Sequence, residues 1–392
     1  MSVLSIARNK SFLGLLGANT ILGAAMPMLI ILGGLSGFML APTPTLATIP
    51  ASLQTLASLF ASAPFSLFMG RFGRKAGFAF GAGLAILGGL LGLAALVTGS
   101  FALLCIAHLV FGAALSCYQY FRFAAADAVS SDWQPVAISL MLTSGLIAAF
   151  VGPELFVMTK NALAPTPLAG AYGAIAVLSL IGMLPLAFVN IPAHALGKKR
   201  PPFLSSLSVL KERSIRNAVG LGAISQGIMV FLMIPTPLAM IGCGFSEEVS
   251  GDVIRWHVVA MFAPSFFTGF LIKRFGAKPI ATFGIGLLII AALVAAAGLT
   301  APHFYGSLIL LGVGWNFGFI GATSMLAAAV PDDMKSVVQG VNDTLIALVS
   351  TICAFAAGAL VAGFGWIVLA YIAAAILGLT LCATLLSGRS TT

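Results

Sequence analysis

Met229 and Met233 stand four residues apart in this chain, and so do His257 and Met261. On a helix that spacing puts each pair on one face, about 6 Å apart along the axis. The two pairs are mirror-placed about residue 245. A chain reversal there would set Met233 level with His257 and Met229 level with Met261. Three thioethers and one imidazole in one apolar patch suit a soft ion, above all Cu(I), and bind Mg²⁺ or Ca²⁺ hardly at all. Such a site has no thiolate, so it would hold copper less tightly than a cysteine site and could let it go. It could act as one four-ligand site or as two linear sites used in sequence. Core packing stays open beside this reading. Methionine fills apolar helix faces routinely, and a single histidine can bond a backbone carbonyl instead of a metal.

The elements that must position these residues are membrane helices. Of the 392 residues, 60% are hydrophobic and 7% charged, against roughly 25% charged in a soluble domain. Mean hydropathy is +1.11. Apolar runs of about 20 residues recur along the chain, the length that crosses a bilayer. The pattern predicts an all-α membrane protein of 12 transmembrane helices, at 12–36, 45–69, 76–98, 101–124, 136–158, 168–190, 217–242, 250–272, 279–299, 303–328, 337–362 and 364–386. Strands of alternating polarity are absent, which excludes a β-barrel. The first apolar run has no small-residue cleavage site after it and reads as a retained span.

The formal charge of +9 reflects topology rather than nucleic-acid binding. Of 19 Lys and Arg, 16 lie at the termini or in the loops 2–3, 6–7, 8–9 and 10–11, the exceptions being Arg122, Lys160 and Arg255. By the positive-inside rule these segments and both termini face the cytoplasm. The five cysteines are scattered and form no CxxC, so no disulfide framework is expected. The polar stretch from Asn190 to Arg216 separates two halves, 1–190 and 217–392, joined by a linker at 191–216.

The halves repeat one another. SLFMGRFGRK (Ser66–Lys75) follows span 2 and GFLIKRFGAK (Gly269–Lys278) follows span 8, aligned without gaps at an offset of 203. Internal repeats at this spacing mark secondary transporters. Both turns resemble the signature of the major facilitator superfamily, G-x-x-x-D-R-x-G-R-[RK]. Arg71, Gly73, Arg74 and Lys75 match in the first copy, and Gly269, Arg274, Gly276 and Lys278 in the second. The aspartate position holds Gly70 and Lys273, and Ser66 replaces the leading glycine; Asp127 can supply the missing charge from another helix. The resemblance implies two six-helix halves, with helices 7 and 8 bordering a central cavity.

Polar residues inside spans are the candidates for function, because lipid penalises them. They are His108, Arg122, Glu154, His257, Asn316, Asn342 and Asp343. Such a set is too poor in amides for a sugar carrier, and Arg122 can snorkel from the end of span 4. WHVVAMFAPSFFTG (Trp256–Gly269), PTPLAM (Pro235–Met240) and FRFAAAD (Phe121–Asp127) resemble the CcoA-type bacterial copper importers. That group is defined by M-x-x-x-M in helix 7 and H-x-x-x-M in helix 8. The resemblance implies metal ligands at Met229, Met233, His257 and Met261, and copper import across the inner membrane for cbb-type cytochrome c oxidase. It also implies a monomer in membrane lipid, with a cytosolic copper chaperone or exporting ATPase as partner.

Pro235 and Pro237 beyond Met233 read as a gating hinge or a fixed kink. Gly152–Pro153–Glu154 resembles the bend of the fifth helix in the superfamily. Asp343, with Asn342, is the candidate for proton coupling, and Glu154 for attracting a proton or cation. Glu247, Glu248 and Asp252 form an acidic mouth able to concentrate cations. Met26 with Met28, and Cys105 with His108, read as relays or as core. No nucleotide loop, hydrolytic triad or nucleic-acid module occurs, so neither an enzyme nor a prosthetic cofactor is expected. A proton-linked exporter of hydrophobic drugs or other small solutes is the competing reading.

Overall fold

The computed structural model describes residues 6, 8–43, 46, 49–191 and 207–386. Residues 192–206, including the basic HALGKKRPPF of the expected linker, lie outside them. Among the described residues, twelve helical segments are long and apolar enough to cross a membrane. They are α1 (Lys10–Leu40), α2 (Ile49–Phe72), α3 (Arg74–Thr98), α4 (Phe101–Asp127), α5 (Ser131–Thr159), α6 (Ala169–Phe188), α7 (Arg213–Met233), α8 (Val249–Phe275), α9 (Ala277–Ala297), α10 (Ala301–Ala329), α11 (Asp332–Val361) and α12 (Gly363–Leu386).

Local chemistry explains where several of these segments start, break and stop. Ser100 and Ser246 precede the fourth and eighth spans, and their side chains accept from the backbone N–H groups of Leu103 and Val249, the usual N-cap arrangement. The turns after α2 and α8 each pivot on one glycine. Gly73 has φ 87° and ψ 161°, and Gly276 has φ 90° and ψ 154°. A side chain at either position would be strained, so the repeated glycine has a backbone reason. The seventh span is shorter than expected. α7 ends at Met233, and a separate helix, Thr236–Gly242, follows. Pro235 and Pro237 lack the N–H that would continue the ladder, and the Thr236 hydroxyl donates to the Leu232 carbonyl at 2.7 Å. A break in α8 at Ala263–Pro264 divides it into helices ending at Phe262 and starting at Ser265.

Contacts divide the chain into two compact units. Among the described residues, the first holds those up to 130 with 144–191 and 331–344. The second holds 131–143, 207–330 and 345–386. Each unit therefore includes one part of α5 and one part of α11. The first unit has a core of Met28, Leu29, Leu32, Phe111, Tyr172 and Ile175. The core of the second includes Met229, Leu232, Ile285, Leu311, Trp315 and Leu369. In that unit α10 packs against α7, α8 and α9.

Candidate functional site

His257 is fully buried on α8. Its Nδ1 donates to the Leu308 carbonyl of α10 at 2.7 Å. That bond selects the tautomer with hydrogen on Nδ1 and leaves a lone pair on Nε2. Nε2 is buried and has no hydrogen-bond partner. Metal-binding histidines commonly have this arrangement, with the far nitrogen tied to a carbonyl and the near one open. Leaving a polar atom buried and unbonded otherwise costs about 1–3 kcal/mol.

The three methionines belong to the same unit. Met229 and Met261 are 5% and 7% exposed within its apolar cluster, and half-buried Met233 packs against that cluster. The route between their helices differs from a simple hairpin. α7 and the first helix of α8, ending at Phe262, each pack along α10, and they do not pack extensively along one another. A helix break follows Met233 on α7 and another follows Met261 on α8, each on the C-terminal side of its pair. Among the described residues, no group of three or more His, Cys, Asp or Glu side chains is arranged to hold a metal. A copper site in this unit would thus rest on thioethers and one imidazole.

The surroundings of these residues were only partly legible. Asn316 on α10 is fully buried, and its Nδ2 donates to the Met261 carbonyl and to Ser265 Oγ, each at 2.6 Å. Its Oδ1 accepts from Thr268 Oγ1 at 2.6 Å. On another side of the same break, Ser139 donates to the Ser265 carbonyl at 2.5 Å and accepts from the Gly269 N–H at 2.9 Å. The leading signature glycine is needed here. A Cβ at Gly269 would come within 2.5 Å of Val136 Cα. An aromatic group sits beside the break as well: Trp315 stacks on Phe319 at 5.1 Å and meets Phe262 edge-on at 5.8 Å. Trp315 Nε1 donates to Gln226 at 2.7 Å. An asparagine within a span was the visible signal; the serines, Trp315 and Gln226 gave none.

The first unit places its polar residues differently. His108 is fully buried, with Nδ1 donating to Gln54 Oε1 at 3.0 Å and Nε2 2.9 Å from the Tyr172 hydroxyl. Both nitrogens are engaged, which favours the core reading of Cys105 and His108 over the relay. Met28 is buried while Met26 is 47% exposed, so these two do not share one environment. Arg122 does not snorkel. It is buried and paired with Asp343, while Asp343 Oδ1 also accepts from Asn342 at 2.7 Å and Oδ2 has no hydrogen-bond partner. A charge pair inside apolar surroundings is favourable only when the partners neutralise each other closely, and this geometry does that.

Both signature turns are stabilised by cations, through different partners. Arg74 is buried and donates through Nε and Nη2 to Asp127 at 3.1 and 2.9 Å. It also reaches Gln339 at 2.6 Å, and Lys335 lies 3.2 Å from Asp127. In the second copy Lys273 sits over the Trp133 ring at 3.4 Å. Arg71 and Arg274 are exposed and lie over their neighbours Phe72 and Phe275 at 5.0 and 5.2 Å. Lys75 donates to the Ala187 carbonyl at 3.3 Å, and Lys278 is half-buried. Pro235 is buried and Pro237 half-buried at the break after α7. Glu154 is exposed, and Gly152 before it approaches the Ala24 carbonyl closely. Asp252 pairs with Arg255 at 3.0 Å and accepts from Tyr305 at 2.8 Å; the side chains of Glu247 and Glu248 lie outside those described.

Comparison with known proteins bears on this architecture. The chain is 37% identical over 351 residues to the riboflavin transporter RfnT of Brucella anthropi, covering 88% of this chain and 87% of that one. It is 30% identical over 379 residues to the MFS-type transporter YddS of Bacillus subtilis, covering 92% and 86% respectively. Its fold is similar to that of the major facilitator transporter FucP in the outward conformation, with a TM-score of 0.78, 16% identity and coverage of 97% and 99%. No family model matches the chain.

Proposed function

The chain belongs to the major facilitator superfamily of membrane transporters, and from that premise we propose that its cargo is copper. The observation that carries the reading is the bare, buried Nε2 of His257, held open by the Leu308 carbonyl in a unit that buries Met229 and Met261. A thioether-rich site of this kind takes Cu(I) in preference to hard cations and releases it again, as a carrier requires. Transport runs inward across the bacterial inner membrane by alternating access, with both termini in the cytoplasm. The chain works as a monomer in membrane lipid and supplies cbb-type cytochrome c oxidase assembly. A cytosolic copper chaperone or exporting ATPase receives the ion. Pro235 and Pro237 form the hinge beyond the ligands. Asp343, whose Oδ2 is unbonded, takes up the coupling proton opposite Arg122, with Asn342 holding its other oxygen.

Radioactive copper accumulation in cells expressing the wild type, Met233→Ala or His257→Ala tests this. Loss of uptake at normal protein level is expected, together with competition by Ag(I) and none by Zn²⁺. Uptake that is indifferent to His257→Ala sinks the copper reading.

The 37% identity to a protein named as a riboflavin transporter favours a second reading, carriage of a planar organic solute. The Trp315, Phe319 and Phe262 group would suit an aromatic ring system. Saturable riboflavin uptake by the same cells, surviving His257→Ala, would replace the first reading with this one. A drug exporter makes the same prediction about His257 but with efflux of hydrophobic dyes.

A further inference from the structure

Three positions on α10, spaced four residues apart, meet the His257–Met261 segment of α8. The Leu308 carbonyl accepts from His257 Nδ1 at 2.7 Å. One turn on, Gly312 leaves room for the helix itself: a Cβ there would stand 2.7 Å from the His257 carbonyl oxygen and 2.9 Å from the Met261 nitrogen. Another turn on, Asn316 donates to the Met261 carbonyl at 2.6 Å. Positions i, i+4 and i+8 line one helix face. This stripe therefore touches the ring of one proposed ligand, the backbone between the two ligands, and the backbone of the other.

The third contact has a cause in the sequence. Pro264 interrupts the hydrogen-bond ladder of α8, and the chain restarts as a helix at Ser265. Pro264 has no N–H for the Ala260 carbonyl, and across the turn the Ser265 N–H makes no ladder bond to the Met261 carbonyl, which as a buried group needs another donor. Asn316 donates to it and to Ser265 Oγ, and accepts from Thr268. The side chain thus bridges the end of one helical piece and the start of the next. Side-chain and backbone contacts made from a neighbouring helix fix the orientation of metal ligands, and their loss typically costs 10- to 100-fold in affinity.

We infer that α10 is a template for the ligand pair on α8, with Asn316 and Gly312 as positioning residues that set the separation and orientation of His257 and Met261. This rests on the copper reading. Neither residue need touch the ion. Asn316 fixes the angle of the break below Met261, and Gly312 fixes how near α8 lies to the carbonyl that orients His257. The template requires two donors at Asn316, so an aspartate there would oppose an acceptor to the Met261 carbonyl.

The test compares Asn316→Ala, Gly312→Ala and Gly314→Ala with the wild type. Gly314 lies on the same helix, but a Cβ there would meet Leu288 of α9, 2.9 Å from its nitrogen, and not α8. Two measurements are made: copper uptake kinetics in cells, and Ag(I) affinity by titration of the purified, detergent-solubilised protein. Asn316→Ala and Gly312→Ala are expected to raise KM for copper and weaken Ag(I) binding by roughly 10- to 100-fold, with the maximal rate per molecule retained. Gly314→Ala is expected to lower thermal stability and leave KM and Ag(I) affinity in place. Where Asn316→Ala does not accumulate, Asn316→Ser serves, with a smaller rise in KM expected because one donor remains. Ag(I) binding that is equal in the wild type and the Asn316 and Gly312 variants overturns the template while the copper reading stands. An equal rise of KM in Gly314→Ala also overturns it, since any distortion of α10 would then suffice. A wild-type protein that binds no Ag(I) removes the copper reading, and this inference with it.

Discussion

His108 in the first unit and His257 in the second are both fully buried, yet their rings are engaged differently. His108 has a partner for each nitrogen, Gln54 and Tyr172, and the Tyr172 hydroxyl continues to Ser36 at 2.8 Å. It therefore links four helices: α1, α2, α4 and α6. His257 has one partner, a backbone carbonyl, and one bare nitrogen. On the proposed reading, the difference separates a structural node from a ligand. A ring with both nitrogens satisfied gains nothing from an arriving cation and would lose two hydrogen bonds to bind it. A ring with one nitrogen buried and empty already carries a desolvation cost that a soft ion would relieve.

The contrast extends to fixed charge. The first unit buries Arg74 with Asp127 and Arg122 with Asp343. In the second, Arg255 and Asp252 pair at an exposed position, and Lys273, at the aspartate position of the signature, rests on an indole face. The proposed cationic cargo would be better served by the apolar unit that holds Met229, Met233 and Met261 than by one already crossed by buried arginines.

The comparison can be broken most directly at the two histidines. His257→Ala is expected to reduce copper accumulation to background, whereas His108→Gln leaves accumulation per folded molecule unchanged. Equal losses in the two variants would erase the distinction. Next in size is the buried pair of the first unit. Arg122→Leu alone should destabilise by about 3–5 kcal/mol, because it strands Asp343 without its counter-charge. Arg122→Leu combined with Asp343→Leu should recover most of that, as read by thermal unfolding in detergent. Removing the ring nitrogens of His108 as His108→Phe leaves the Gln54 and Tyr172 polar groups short of a partner, at a cost of about 1–3 kcal/mol in the same assay. Lys273→Ala should have the smallest effect, about 0.5–1 kcal/mol for a cation–π contact. A cost near that of Arg122→Leu would mean that the second signature turn carries more load than its geometry indicates.

Much of the architecture was legible because it follows from local properties. Hydropathy over a window of one span length finds the helices, since lipid requires each span to satisfy its own backbone. The 203-residue repeat located the two pivot glycines, which have nearly the same φ and ψ. Pro235 and Pro237 announced a hinge or kink in a span expected to run to residue 242, and the helix ends before them, at Met233. Pro264 acts by the same chemistry, but it sits in a strongly apolar run, and the break it makes in α8 was not anticipated. Arg122 was misread for a different reason. Snorkelling is the expected behaviour of a lone arginine near a span end, and its partner Asp343 lies 221 positions away in sequence.

The sequence by itself determined the membrane class, the number of spans, the two-fold repeat and the identity of four soft side chains at helical spacing. These depend on composition and on periods of a few residues. Tertiary structure alone decided which histidine keeps a nitrogen free. That depends on the Leu308 carbonyl, 51 positions from His257, and on Gln54 and Tyr172, 54 and 64 positions from His108. An imidazole has the same two nitrogens wherever it occurs; the packing of neighbouring helices sets which of them is already bonded.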